Sequence, residues 1–102
     1  MGHDIFGYSK TGREVAYARF SMGNTNATIL YSLLEADEYY AGVSGSGGST
    51  TFSKNQLEIA LDNYTRVYGN DDRGWDINQI KEFIENCLAA ANKEGSVKVI
   101  FG

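Results

Sequence analysis

Near its C-terminal end the chain reads Ser96-Val97-Lys98-Val99-Ile100-Phe101, a run rich in β-branched residues that predicts a strand. A lone strand is not stable in water, so it must find strand partners elsewhere in the chain. The other strand-forming material lies at the opposite end. Asp4-Ile5-Phe6-Gly7-Tyr8 and residues 13–20 flank Ser9-Lys10-Thr11-Gly12, a short turn in which Gly12 can supply a positive φ. In the second arm Val15, Tyr17 and Arg19 alternate with Ala16, Ala18 and Phe20, the period-two pattern of a strand with unlike faces. The small Ala16 and Ala18 leave room for a helix to lie across one of those faces. Joining the two ends therefore encloses everything between them in one layered unit over residues 1–102.

The enclosed part reads as helical. Ser21-Met22-Gly23-Asn24-Thr25-Asn26 is a polar connector holding candidate N-caps, and a first helix is predicted from about residue 26 to residue 38 on the stripe Ala27, Leu30, Tyr31 and Leu33 or Leu34. The strongest local signal is Phe52-Ser53-Lys54-Asn55-Gln56-Leu57. Ser53 at the N-cap and Gln56 at N3 form a capping box, and Phe52 with Leu57 forms a hydrophobic staple. That helix runs on Leu57, Ala60, Leu61, Tyr64 and Val67 or Tyr68 and stops at Gly69-Asn70. The same pattern recurs with Asp76 as cap, Gln79 at N3 and Trp75 stapled to Ile80, ahead of the stripe Ile77, Ile80, Phe83, Ile84, Cys87, Leu88 and Ala91. Gly95 ends it. The expected order is β-β-α-α-α-β, giving an α+β domain with a small three-stranded antiparallel or mixed sheet and helices packed mainly on one face.

Composition narrows the function classes. A net charge of −4 with no basic stripe argues against electrostatically driven binding to nucleic acid. The chain has no apolar run of membrane-spanning length and no signal-peptide pattern at Met1, so the expectation is no membrane and a cytoplasmic location. Cys87, the single cysteine, falls on a helix stripe as a small core hydrophobe, and His3 lies at the far terminus, an improbable base for it. His3 reads as an ordinary surface or strand-edge residue. No side-chain set calls for a cofactor or a metal, and no catalytic residues are assigned.

Three further segments carry alternatives. Residues 42–50 are rich in glycine and serine ahead of a capped helix, and in composition resemble a phosphate-cradling loop; Gly45, Ser46, Gly47, Gly48, Ser49 and Thr50 would then be ligand-binding residues. No G-x-x-x-x-G-K-[ST] motif is present and a helix, rather than a strand, precedes the glycines, so a connecting loop is the plainer reading. Asn70-Asp71-Asp72-Arg73-Gly74 lacks the ligand alternation of a calcium loop and reads as a solvated turn. Glu35, Asp37 and Glu38 precede Tyr39 and Tyr40 where the first helix ends, an acidic end that opposes the helix dipole.

Seven tyrosines and one tryptophan supply large contact area with polar tips, a composition that favours protein contacts. The resulting expectation is a non-enzymatic interaction or accessory domain. Its surface would draw on Glu38, Tyr39, Tyr40 and Trp75, together with Tyr8, and its partner would be a protein. A homodimer through a strand edge is a further expectation, and ligand binding by the loop of residues 42–50, with or without catalysis, is the alternative function. The segments His3-Asp4-Ile5-Phe6-Gly7-Tyr8, Glu14-Val15-Ala16-Tyr17 and Arg19-Phe20-Ser21-Met22-Gly23-Asn24 resemble the openings of small bacterial and phage-associated proteins of no known activity. Ala41-Gly42-Val43-Ser44-Gly45 and Lys93-Glu94-Gly95-Ser96-Val97 are similar to parts of the same proteins. The resemblance implies a bacterial or prophage source and transfers no site residues.

Overall fold

The two chain ends do pair. In the computed structural model, which describes residues 2–22, 24–42, 44–69 and 74–102, strands β1 (Gly2–Ser9) and β2 (Glu14–Ser21) form the hairpin, and β4 (Ser96–Phe101) lies antiparallel on the other side of β1. Gly12 takes the positive φ expected of it, 90°, and Gly95, where the last helix ends, has φ 91°. The sheet is not three-stranded, however. Ser49–Ser53 forms β3, antiparallel to β4, so the sheet has four strands in the order β2-β1-β4-β3. Thr50, Thr51 and Phe52 are good strand formers. Their signal is masked by the glycine and serine run before them and by the helix cap that begins at Ser53.

Helix α2 (Lys54–Tyr68) opens with the anticipated capping box: the Gln56 N–H donates to Ser53 Oγ at 3.2 Å, and the Ser53 N–H donates to Gln56 Oε1 at 2.8 Å. Phe52 and Leu57, the staple pair, are both buried. Helix α3 (Trp75–Glu94) starts differently from the capping box read at Asp76. Gly74, with φ 99°, is its N-cap. Asp76 lies in the first turn and accepts from Asn24 Nδ2 at 2.7 Å and Asn26 Nδ2 at 3.4 Å, tying the α3 N-terminus to the connector after β2. An acid there also complements the helix dipole. Residues 70–73, the acidic turn, lie outside the described residues.

Helix α1 is shorter than predicted, Asn26–Leu33, and a 3₁₀ turn follows at Asp37–Tyr39. Its end is a Schellman motif: the Ala36 N–H donates to Tyr31 O at 2.8 Å and the Glu35 N–H to Ser32 O at 3.0 Å. The left-handed position, where glycine is usual, is held by Glu35 at φ 53°, the one non-glycine residue with positive φ among the described residues. Holding an L side chain there costs about 1 kcal/mol.

The helices cover one face of the sheet. His3, Ile5, Gly7 and Ser9 of β1, Ala16, Ala18 and Phe20 of β2, and Val97, Val99 and Phe101 of β4 are buried beneath them. From the helices come Leu30, Tyr31, Leu57, Ile77, Ile80, Phe83, Ile84 and Cys87, all essentially without solvent contact. Burial pushes the Cys87 thiol up to about 12 and the Tyr31 phenol also to about 12, with the neighbouring Tyr40 adding to the latter. Unfolding releases both to ordinary values, so above about pH 9 the unfolded chain loses protons that the native chain keeps. Stability should hold level through neutral pH and fall as pH rises from about 9 towards 12, checked by urea titrations across that range. Native Cys87 should correspondingly resist a thiol reagent at pH 8 and react once urea unfolds the chain.

Candidate functional site

Among the described residues no helix lies on the other face of the sheet. Its side chains stand in cross-strand rows set by the register. One row runs Tyr17, Phe6, Ile100, Ser49 and the next Glu14, Tyr8, Lys98, Thr51, with Arg19 beside Asp4 at the margin. Phe6 sits at the centre of an aromatic cluster, its ring 5.0 Å from that of Tyr17 and 6.2 Å from that of Tyr8. Neighbouring rings on one sheet face reinforce each other's packing and the strand pairing. Tyr17 remains 44% exposed. Its hydroxyl donates to Asp4 Oδ1 at 2.6 Å, and the hydrogen bond to that carboxylate, followed by desolvation, raises the Tyr17 pKa above its ordinary value. Asp4 also meets Arg19 Nε at 3.8 Å.

Two shallow depressions adjoin the cluster. One, about 410 Å³, lies between Tyr8, Lys98, Ile100 and Thr51. The other, about 550 Å³, crosses the β2 edge and is lined by Tyr17, Arg19, Trp75, Asn78, Gln79 and Glu82. Trp75, 79% exposed, is the most exposed of the large apolar side chains described and stands on its rim. Beneath it, Gln79 fastens α3 to the sheet edge: its Oε1 accepts from the Arg19 N–H at 2.7 Å and its Nε2 donates to Arg19 O at 2.9 Å.

Charge is divided between the layers. The strands of the sheet and the β1–β2 turn carry Lys10, Arg13, Arg19 and Lys98 against Asp4 and Glu14, a basic excess within a chain of net charge −4. The segment from the end of α1 through the 3₁₀ turn carries Glu35, Asp37 and Glu38 with no basic residue.

The residues singled out from sequence therefore part company. Tyr8 and Trp75 border the open-face surface. Tyr39 and Tyr40 lie at another place: the half-buried Tyr39 ring stacks on Phe101 at 4.8 Å, and the Tyr40 ring stacks on His3 at 5.0 Å while remaining exposed on its other side. Glu38 is exposed in the 3₁₀ turn before them. Phe6, Tyr17, Lys98 and Ile100 were not singled out as one surface, because alternation sorts faces only within a strand and the strand register is what puts these four on the same side.

His3 is buried, contrary to the surface or edge position expected. Its Nε2 lies 3.1 Å from Gly42 O, which can only accept, so Nε2 carries the proton and Nδ1 accepts from the Tyr31 hydroxyl at 2.9 Å. Neither nitrogen is free to act as a base or a metal ligand. The two side chains best suited to covalent chemistry, His3 and Cys87, are thus both parts of the core. Among the described residues no group of three His, Cys, Asp or Glu side chains is arranged to hold a metal ion.

The glycine-rich segment extends the β3–β4 ladder. The Gly45 N–H donates to Gly102 O, Ser46 N–H to Tyr39 O, and Gly47 N–H to Phe101 O, at 2.7–2.8 Å, while Gly48 N–H meets Ser46 Oγ at 3.3 Å. These donors are directed at the protein's own oxygens. Ser49 and Thr50 belong to β3, and the whole strand separates Gly45, Ser46, Gly47 and Gly48 from the α2 N-terminus.

No protein-family model, curated protein sequence or solved structure matches the chain. No helix among the described residues is long and apolar enough to cross a membrane.

Proposed function

We propose that this chain is an interaction domain that binds a protein partner through the open face of its sheet and the adjoining Trp75 rim. The observation that carries the reading is the uncovered aromatic cluster of Phe6, Tyr8 and Tyr17, continued across the β2 edge by Trp75. Phe6 and Tyr8 are half-buried and Tyr17 and Trp75 exposed; aromatic rings left partly in water side by side mark contact sites, and aromatic anchors dominate interface energetics. The basic excess of the sheet layer favours a partner surface that presents apolar side chains flanked by acids, through complementary charge. Lys98 is the one basic side chain on the two central strands, which gives no charged track for a nucleic-acid backbone. A bacterial or prophage source, implied by the resemblance of the opening segments, belongs to the same reading, as does a cytoplasmic location. Ligand binding by residues 45–50 is less favoured, because the loop's donors already have acceptors.

Photo-crosslinking amino acids placed at positions 6 and 75 should capture the same protein in cells, while one at exposed position 58 on α2 should not. Trp75→Ala should leave stability within about 0.5 kcal/mol, as expected of an exposed side chain. It should weaken partner binding by about tenfold or more, the range of an interface anchor. Capture from position 58 alone, or undiminished binding by a Phe6→Ser, Trp75→Ala double variant that remains folded, would overturn the assignment.

A further inference from the structure

A half-open groove of about 330 Å³ runs between α1 and α2, away from the sheet face. Its walls are mixed: Ile29 and Leu33 from α1 and Ile59 and Val67 from α2 supply the aliphatic part, and Ser32, Gln56 and Asn63 the polar part. Ile59 and Val67 are 52% and 59% exposed, so α2 leaves two large aliphatic side chains in water along this one groove. Its volume is at the lower end of small-molecule sites. Its lining includes one ionised group, Glu35.

Glu35 is unusual on two independent counts. It holds the left-handed position of the α1 Schellman motif at φ 53°, where glycine would be unstrained. It also places a carboxylate at a helix C-terminus, against the dipole. Strain of this kind accumulates where a side chain serves a site. Among the described residues no basic side chain forms an ion pair with Glu35, the pairs present being Arg19–Asp4 and Lys54–Glu58. Asn63, on the same groove, accepts from Arg66 at 2.7 Å through its Oδ1, and the exposed Glu35 carboxylate is the one anionic side chain of the lining.

We propose that the α1–α2 groove binds a small organic ammonium ion with an aliphatic body. The alkyl chain lies between Ile29, Leu33, Ile59 and Val67, and the ammonium group donates to Glu35. The four aliphatic side chains select the body, and a charge-assisted hydrogen bond selects the head. The site is separate from the sheet face, so its test does not depend on the protein-interaction reading.

The test is an NMR titration of the isotope-labelled full chain with hexylammonium, with hexanol and hexanoate run in parallel. Hexylammonium should produce saturable shifts confined to the amides around Ile29 to Glu35 and Ile59 to Tyr68. Hexanol should bind about tenfold more weakly and hexanoate should not bind. Glu35→Gln should bring hexylammonium down to the hexanol level. Glu35→Gly is the decisive variant, because it should melt at a higher temperature than the native chain and still lose the ammonium preference, which separates binding from folding. Equal binding of hexylammonium and hexanol, shifts centred outside the groove, or an ammonium preference that survives Glu35→Gly would overturn the proposal.

Discussion

Replacing Tyr31 with alanine should lower the stability of the domain by about 3–5 kcal/mol, the range for deleting a large buried aromatic side chain. Tyr31 is without solvent contact and holds three aromatic neighbours, with ring centroids 5.4 Å from His3, 5.3 Å from Tyr40 and 5.3 Å from Phe101. It therefore joins α1, β1, the end of β4 and the segment after the 3₁₀ turn in one cluster. Set against the roughly 5–15 kcal/mol that holds a domain together, such a loss leaves little margin. Tyr31→Phe isolates the polar part: the ring packing stays, but buried His3 Nδ1 loses its donor, at a cost of about 1–3 kcal/mol. Urea unfolding of both variants measures the two contributions. A phenylalanine variant as stable as the native chain would show that the His3–Tyr31 hydrogen bond contributes nothing net.

The second large effect concerns the contact between the sheet and α3. A Cβ at Gly7 would lie 2.8 Å from Cys87 Sγ and 3.2 Å from Ala16 Cβ, so Gly7→Ala should cost about 1–3 kcal/mol through overpacking. Cys87→Ala alone should cost about 1 kcal/mol through lost packing. In combination the two changes should be less harmful than their sum, because deleting the sulfur makes room for the added methyl group. A coupling of about 1 kcal/mol or more in the favourable direction is expected from a double-mutant cycle. Simple additivity would mean that α3 shifts away from Gly7 instead of meeting it.

Features written within a few residues of one another were legible in the sequence. The Ser53–Gln56 capping box, the α3 stripe and the Gly95 stop could each be read locally, and each is present. What escaped depends on residues far apart in the chain. Asp76 and Gln79 have the same spacing as Ser53 and Gln56, yet their side chains go to Asn24 and to the Arg19 backbone, 52 and 60 positions away. No local pattern distinguishes the two cases. His3 looked peripheral because it is near the chain end, whereas pairing of β1 between β2 and β4 brings it under Tyr31 and Tyr40. The end of α1 was placed too late because Glu35 occupies a position where glycine would have announced the stop. As for the surface, the aromatic excess pointed to contacts, but only the sheet register shows which rings share a face.

The Gln79 clamp has a consequence for how the molecule behaves in crowded company. A bare sheet margin invites a second chain to continue the ladder, and indefinite addition of that kind ends in fibres. With one amide, Gln79 imitates a neighbouring strand at Arg19, offering an oxygen to its N–H and a nitrogen to its carbonyl. A newcomer seeking to zip on there would first have to evict it. The molecule is thereby protected from sideways growth on the very edge beside which it displays its most exposed tryptophan.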